Sequence, residues 1–123
     1  MSWHFIIGCG FRQNASIESF ESALSKLPTI EHYSGICVPE DKIKHDALCA
    51  FAKKMVLPIY GIKPDAITSA STYSQSKKIF KVRRTGSVAE ATALAFFKAP
   101  GRLIAARAIS NDRCAVCAIA KGK

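Results

Sequence analysis

The sequence predicts an α/β domain built on a mixed, mostly parallel sheet that ends in an antiparallel hairpin. Two observations predict it. In the first half, three short apolar runs, "WHFIIGC", "GICV" and "VLPIY", alternate with two stretches whose apolar residues recur at helical spacing, the β-α-β-α-β rhythm of a parallel sheet covered by helices. At the other end, "RLIAARAIS" and "RCAVCAIA" flank Asn111 and Asp112, residues that tolerate positive φ and so suit the turn of a hairpin.

In order along the chain, a buried strand is expected from Trp3 to Cys9, broken at Gly8 and Gly10. A helix follows from about Ser16, with Ile17, Phe20, Ala23, Leu24 and Leu27 on one face. "GICV" forms the second strand. Pro39 and a charged loop lead to a helix near Asp46, where Leu48, Phe51, Ala52 and Met55 repeat at i, i+3, i+4, i+7. "VLPIY" is the third strand, ended by Gly61. "KPDAITSA" reads as a short helix with Pro64 in its first turn, "STYSQS" as a polar connector, and "KKIFKV" as either helix or strand. A helix from Ser87 to about Lys98, apolar on most sides, stops at "KAPG".

A chain of 123 residues that is 49% apolar is expected to form one domain, residues 1–123, with one core. Lys53, Lys54, Pro58 and Lys63 interrupt the longest apolar stretch, so no membrane span is expected. "MSWHFIIGCG" has neither a basic n-region nor a small-residue cleavage site, and a cytoplasmic location follows as the expectation. Five cysteines, Cys9, Cys37, Cys49, Cys114 and Cys117, are read as reduced, packed thiols. Cys114-x-x-Cys117 lies in a strand-like run, where positions three apart face opposite sides, and no second pair of ligands stands at a useful spacing. No metal and no cofactor are expected, and His4, His32 and His45 are not taken as ligands.

The charge is unevenly placed. Residues 1–76 carry seven Lys/Arg and seven Asp/Glu, residues 77–123 eleven and two, so the last part supplies the whole net charge of +9. Such a field draws an anionic partner, whether nucleic acid, an acidic protein or a polycarboxylate; a solvated, solubilising surface accounts for it equally well.

Three pieces carry candidate chemistry. The loop "GCGFRQNAS", Gly8 to Ser16, leaves the carboxyl end of a strand and enters a helix, where open α/β sheets place ligands. Its glycines permit close backbone approach, the helix start offers N–H groups to an anion, and Arg12 adds a two-pronged carboxylate contact. Gln13 stands where a dinucleotide fingerprint has its third glycine, and a tight turn capped by Ser16 explains the loop as well. In "TGSVAEATAL", Ser87 and Glu90 have capping-box spacing behind a flexible Thr85-Gly86 turn, next to Lys81, Arg83 and Arg84. Last, strand alternation projects Arg107 from one face of the hairpin, where it meets either a carboxylate or solvent.

Taken together, "IIGCGFRQNASIESFESAL", "ICVPEDKIKHDALCAFAKKMVLPI", "TGSVAEATAL" and "RLIAARAISNDRCAVCAIA" resemble the cobalamin-biosynthesis family comprising CobE and the C-terminal domain of CbiG, over nearly the whole chain and in matching order. With Met1 just before the first strand, the likeness is to the free-standing CobE form. It implies a three-layer α/β/α sandwich in the pathway that builds the corrin ring. The larger members are associated with opening the δ-lactone of cobalt-precorrin-5A and releasing acetaldehyde; the free-standing form is associated with binding or handing on a precorrin. By this resemblance Gly8, Gly10, Arg12 and Ser16 match the first loop, in which Cys9 and Phe11 are also taken as ligand-binding candidates, Thr85, Gly86, Ser87 and Glu90 match the second motif, and Arg107 falls at a position that tends to be basic. The chain departs from the family at Phe11, Gln13, Asn14 and Ala15, where cysteine, a second basic residue and glycine-threonine are common, and at Ile109, where a second basic residue is usual.

Two function classes remain open, with a third behind them. A binding or carrier module for a corrinoid, working alongside other enzymes of the pathway, needs only cationic and backbone donors. A hydrolase also needs a general base, for which Glu90 is the catalytic candidate. A nucleic-acid-binding domain ranks last, since "KKIFKV" lacks the glycine-aromatic pattern of sheet-type RNA readers.

Overall fold

The computed structural model describes residues 3–67, 85–97 and 101–122, apart from the side chains at 85–87 and 106. Among these residues five strands form one sheet in the order β3-β2-β1-β5-β4: β1 (His4–Phe11), β2 (Gly35–Pro39), β3 (Ile59–Ile62), β4 (Arg102–Ile109) and β5 (Ala115–Gly122). β1 pairs in parallel with β2, and β2 with β3; β5 pairs antiparallel with both β1 and β4. Of these five strands, β5 therefore runs against the other four.

Helices cover both faces, as the α/β sandwich requires. On one face α1 (Ile17–Ser25) and α2 (Asp46–Met55) close over Ile7, Cys9, Phe11, Ile36, Val38 and Cys117, using Phe20, Ala23, Leu48, Phe51 and Ala52. Those helical residues are the ones whose spacing marked the apolar faces. On the other, α3 (Thr85–Ala95) packs its Ala89, Ala93 and Leu94 against Ile6, Cys37, Ile62, Val116, Ala118 and Ala120. Alternation along β1 divides its side chains between the two faces.

Several expected boundaries move. β1 does not break at its glycines but continues to Phe11, because β5 pairs with it through Phe11↔Ala115. β3 starts at Ile59 and runs through Gly61, because Val56 is used to end α2 in the left-handed conformation, φ 58°. Helix α3 starts at Thr85 and stops at Ala95. Thr85-Gly86 is thus its first turn rather than a lead-in, and Ser87 lies inside it rather than ahead of it; the first turn lacks intrahelical N–H partners anyway, so weak helix formers cost little there. In the hairpin, positive φ falls on Arg113 (φ 62°), not on Asn111 or Asp112. Cys114 and Cys117 do not face opposite sides: Cys114 precedes β5, and both pack against the α1/α2 core. Of "KPDAITSA", residues 64–67 are helical and 68–70 lie outside the described residues, as do "STYSQS" and "KKIFKV".

Candidate functional site

The carboxyl ends of β1, β2 and β3 share one sheet edge. From it rise the β1–α1 loop, the short 3-10 turn Glu40–Lys42 ahead of α2, and the β4–β5 turn, since Ala115 at the start of β5 faces Phe11. The start of α3 lies at the same edge. Ala89 packs with Val116, which pairs with Gly10, while Ala93 packs with Ile6 and Ala120, four residues further back along β1. The helix therefore runs opposite to β1 and begins above its carboxyl end.

Gly8 makes that packing possible. A Cβ at Gly8 would stand 2.1 Å from the Ala89 carbonyl oxygen and 2.8 Å from Ala93 Cβ. The bare backbone seats a helix here, which is the close approach the glycine-rich loop predicts, with a helix in the place of a ligand. Gly10 is buried two residues on.

Cys9 and Phe11 belong to the opposite face. Cys9 is fully buried with its Sγ 3.7 Å from Cys117 Sγ. That contact first, and burial second, push its thiol well above the ordinary range. Phe11 meets Phe20 and His45 edge-on, at centroid distances of 5.2 and 4.8 Å. Neither side chain joins the edge. Ala15, one of the departures from the family, is also core.

The exposed loop is fixed by its neighbours. Arg12 donates its backbone N–H to Cys114 O at 2.8 Å, extending the β1–β5 ladder while its side chain stays exposed. His45 Nε2 lies 2.8 Å from Gln13 O, and its Nδ1 accepts the Leu48 N–H at 3.3 Å. A carbonyl only accepts and an N–H only donates, so the ring is the neutral Nε2–H tautomer, capping α2 while holding the loop. His45 is not taken as a ligand from the sequence; its position just before an amphipathic helix is the signal for this capping role.

Helix α1 starts with a capping box in which Ser16 and Ser19 exchange side-chain-to-backbone bonds. The Ser19 hydroxyl then donates to Asp112 Oδ2 at 2.6 Å, and the Ser110 hydroxyl to Oδ1 at 2.6 Å, with the Cys114 N–H also on Oδ1. These bonds, Ser110 first, hold the Asp112 carboxyl down at about 2. The anion beside α1 is thus the protein's own. Asp112 locks the β4–β5 turn to α1 and leaves Arg113 exposed next to Arg12's partner residue, Cys114.

Glu90 and Arg107 come together. Glu90 Oε2 accepts the Arg107 backbone N–H at 3.0 Å and stands 3.9 Å from Arg107 Nη1. This contact spans α3 and β4, so the described bonds of Glu90 go to the hairpin. Thr85, Gly86 and Ser87 place their backbone in the first turn of α3 at the shared edge. Ile109 is exposed, and its carbonyl accepts a bond from Lys26 Nζ at 2.6 Å. Among the described residues, no group of three or more His, Cys, Asp or Glu side chains is placed to hold a metal, and no helix is long and apolar enough to cross a membrane.

No curated protein sequence matches this chain. Among solved structures, it is similar to the cobalamin biosynthesis protein chiG from Agrobacterium tumefaciens str. C58, with TM-score 0.72 and 22% identity over 94% of this chain and 96% of the other. It is also similar to CobE, a protein from the cobalamin (vitamin B12) biosynthetic pathway, with TM-score 0.75 and 20% identity over 98% of this chain and 92% of the other. At those identities the likeness establishes the fold. The family described as "Cobalamin synthesis G C-terminus" matches residues 5–120. With nearly its whole length matched, the chain belongs to the cobalamin synthesis G C-terminus family, and its role lies in cobalamin biosynthesis.

Proposed function

We propose that this domain binds and hands on a carboxylate-rich precorrin or corrinoid intermediate at the edge where the β1–α1 loop and the start of α3 meet. One observation carries the reading: α3 runs antiparallel to β1, with the Ala89 carbonyl seated against Gly8, so the helix start and the loop share an edge. A corrin is rimmed with acetate and propionate carboxylates. A helix start has N–H groups without helical partners and favours anions, and Arg12, Arg107 and Arg113 add guanidinium groups suited to carboxylates. Ser16 and His45 cap α1 and α2, so the proposal turns on the start of α3. The net charge of +9, supplied by residues 77–123, draws the polyanion to the domain.

Glu90 fits a holding role better than that of a base, because its oxygen already accepts the Arg107 N–H. The five free cysteines fit a reducing cytoplasm, with other enzymes of the pathway as partners in transfer.

Gel filtration with hydrogenobyrinic acid, followed by its visible absorbance, tests the reading, with haem as the control tetrapyrrole. Co-elution of the corrinoid but not haem, weakened in the Arg12→Ala/Arg107→Ala double variant, is the expected outcome. A corrinoid that elutes alone contradicts it. Acetaldehyde release from a lactone-bearing precorrin, lost in Glu90→Gln, moves the reading to the hydrolase.

A further inference from the structure

The ladder between β4 and β5 steps from Ala105↔Ile119 to Ala108↔Cys117, three residues on one strand against two on the other. That is a bulge, and a bulged strand leaves a residue out of the regular pairing. Arg107 lies in it. Its N–H goes instead to Glu90 Oε2 at 3.0 Å, a charge-assisted bond from a helix that packs across the sheet. The guanidinium is held differently: Nη1 is 3.9 Å from the same oxygen, beyond hydrogen-bond distance, and the Arg107 side chain is 45% exposed against 19% for Glu90.

From this split we infer that Glu90 is a positioning residue, a latch that fixes the Arg107 bulge through its backbone while leaving the guanidinium to be taken over by a ligand carboxylate. The inference rests on the anion-binding reading and assigns a regulation to that site. In the unliganded state the carboxylate shields Arg107 by a loose ion pair. A carboxylate arriving from solution exchanges that pair for a two-pronged contact, and the backbone bond stays in place throughout. Removing Glu90's charge and removing its acceptor oxygen therefore have opposite consequences, although both raise the net charge by the same amount.

The test compares Glu90→Gln, which keeps a carbonyl acceptor without the competing charge, with Glu90→Ala, which removes both; circular dichroism establishes that each variant is folded. Glu90→Gln is expected to bind hydrogenobyrinic acid at least as tightly as the wild type, and Glu90→Ala about tenfold more weakly. Equal tightening in the two variants overturns the inference, since charge alone then explains Glu90. A second readout needs no ligand: hydrogen exchange at the Arg107 amide is expected to be about tenfold faster in Glu90→Ala than in Glu90→Gln, and equal exchange overturns the latch. If the wild type binds no corrinoid, the functional reading fails while the amide measurement still decides the latch.

Discussion

Gly8 and Ala89 meet so closely that the ideal position of a Cβ on Gly8 falls 2.1 Å from the Ala89 carbonyl oxygen. That oxygen belongs to helix backbone and cannot rotate away as a side chain does. Gly8→Ala is expected to push α3 off the sheet and lower stability by about 1–3 kcal/mol, the usual cost of overpacking. Urea unfolding checks it; an unchanged midpoint would contradict the packing. The shift also moves the start of α3, so corrinoid binding should weaken in the same variant.

Asp112 carries a pH dependence of known sign. Its folded carboxyl is held at about 2, below the ordinary 3.8, by the Ser110 and Ser19 hydroxyls and the Cys114 N–H. The unfolded chain therefore takes up this proton first, so the contribution is complete above the ordinary value and fades as pH falls through the interval down to about 2. Asp112→Asn should melt below the wild type at neutral pH. The gap between their melting temperatures should narrow across that acid interval, and a constant gap would contradict the assignment.

His45 joins two segments through two nitrogens, so its replacements separate the two roles. His45→Asn retains a side chain that caps helix starts and loses the reach to Gln13 O; His45→Ala loses both. The alanine variant should be less stable than the asparagine variant by about 1 kcal/mol, the typical worth of a cap. Both should show faster exchange in the 12–15 loop by hydrogen-exchange mass spectrometry. Equal stability would show that the Leu48 bond contributes nothing.

Val56 is a β-branched residue in the left-handed conformation at the end of α2, with φ 58° and 85% exposure. The cap itself is sound: the Val56 N–H bonds Lys53 O, and the Leu57 N–H bonds Ala52 O at 2.9 Å. The strain lies in the side chain. Val56→Gly should keep these bonds and raise stability by about 1 kcal/mol, measurable as a higher urea midpoint.

The α/β class and the helix faces are legible because they follow from period. Phe20 and Ala23 in α1, and Leu48, Phe51 and Ala52 in α2, recur at helical spacing and are buried as that spacing predicts. What period does not carry was missed. Gly8 and Gly10 look like a strand end in sequence, yet β5, more than a hundred residues away in the chain, pairs across them and keeps the strand going. Ser87 and Glu90 have the spacing of a capping box, but helix α3 begins at Thr85 and Glu90 meets Arg107, a contact set by how the hairpin packs. The same holds for the lock between Ser19 and Asp112, which joins residues 93 positions apart. Of the residues named for the site, Arg12, Ser16, Glu90 and Arg107 have their places on or beside the shared edge, and Thr85, Gly86 and Ser87 contribute backbone there; strand alternation turns the side chains of Cys9 and Phe11 into the opposite core.

The central claim is that the edge formed by the β1–α1 loop and the start of α3 receives the anionic ligand. Chemical-shift mapping of the backbone amides during titration with hydrogenobyrinic acid tests it most directly. The account predicts saturable shifts at residues 10–16, 85–90, 107 and 113, with Trp3, Tyr60 and Phe97 at the other edge undisturbed. Shifts concentrated around Trp3, Tyr60 and Phe97, or none at saturating ligand, would contradict it.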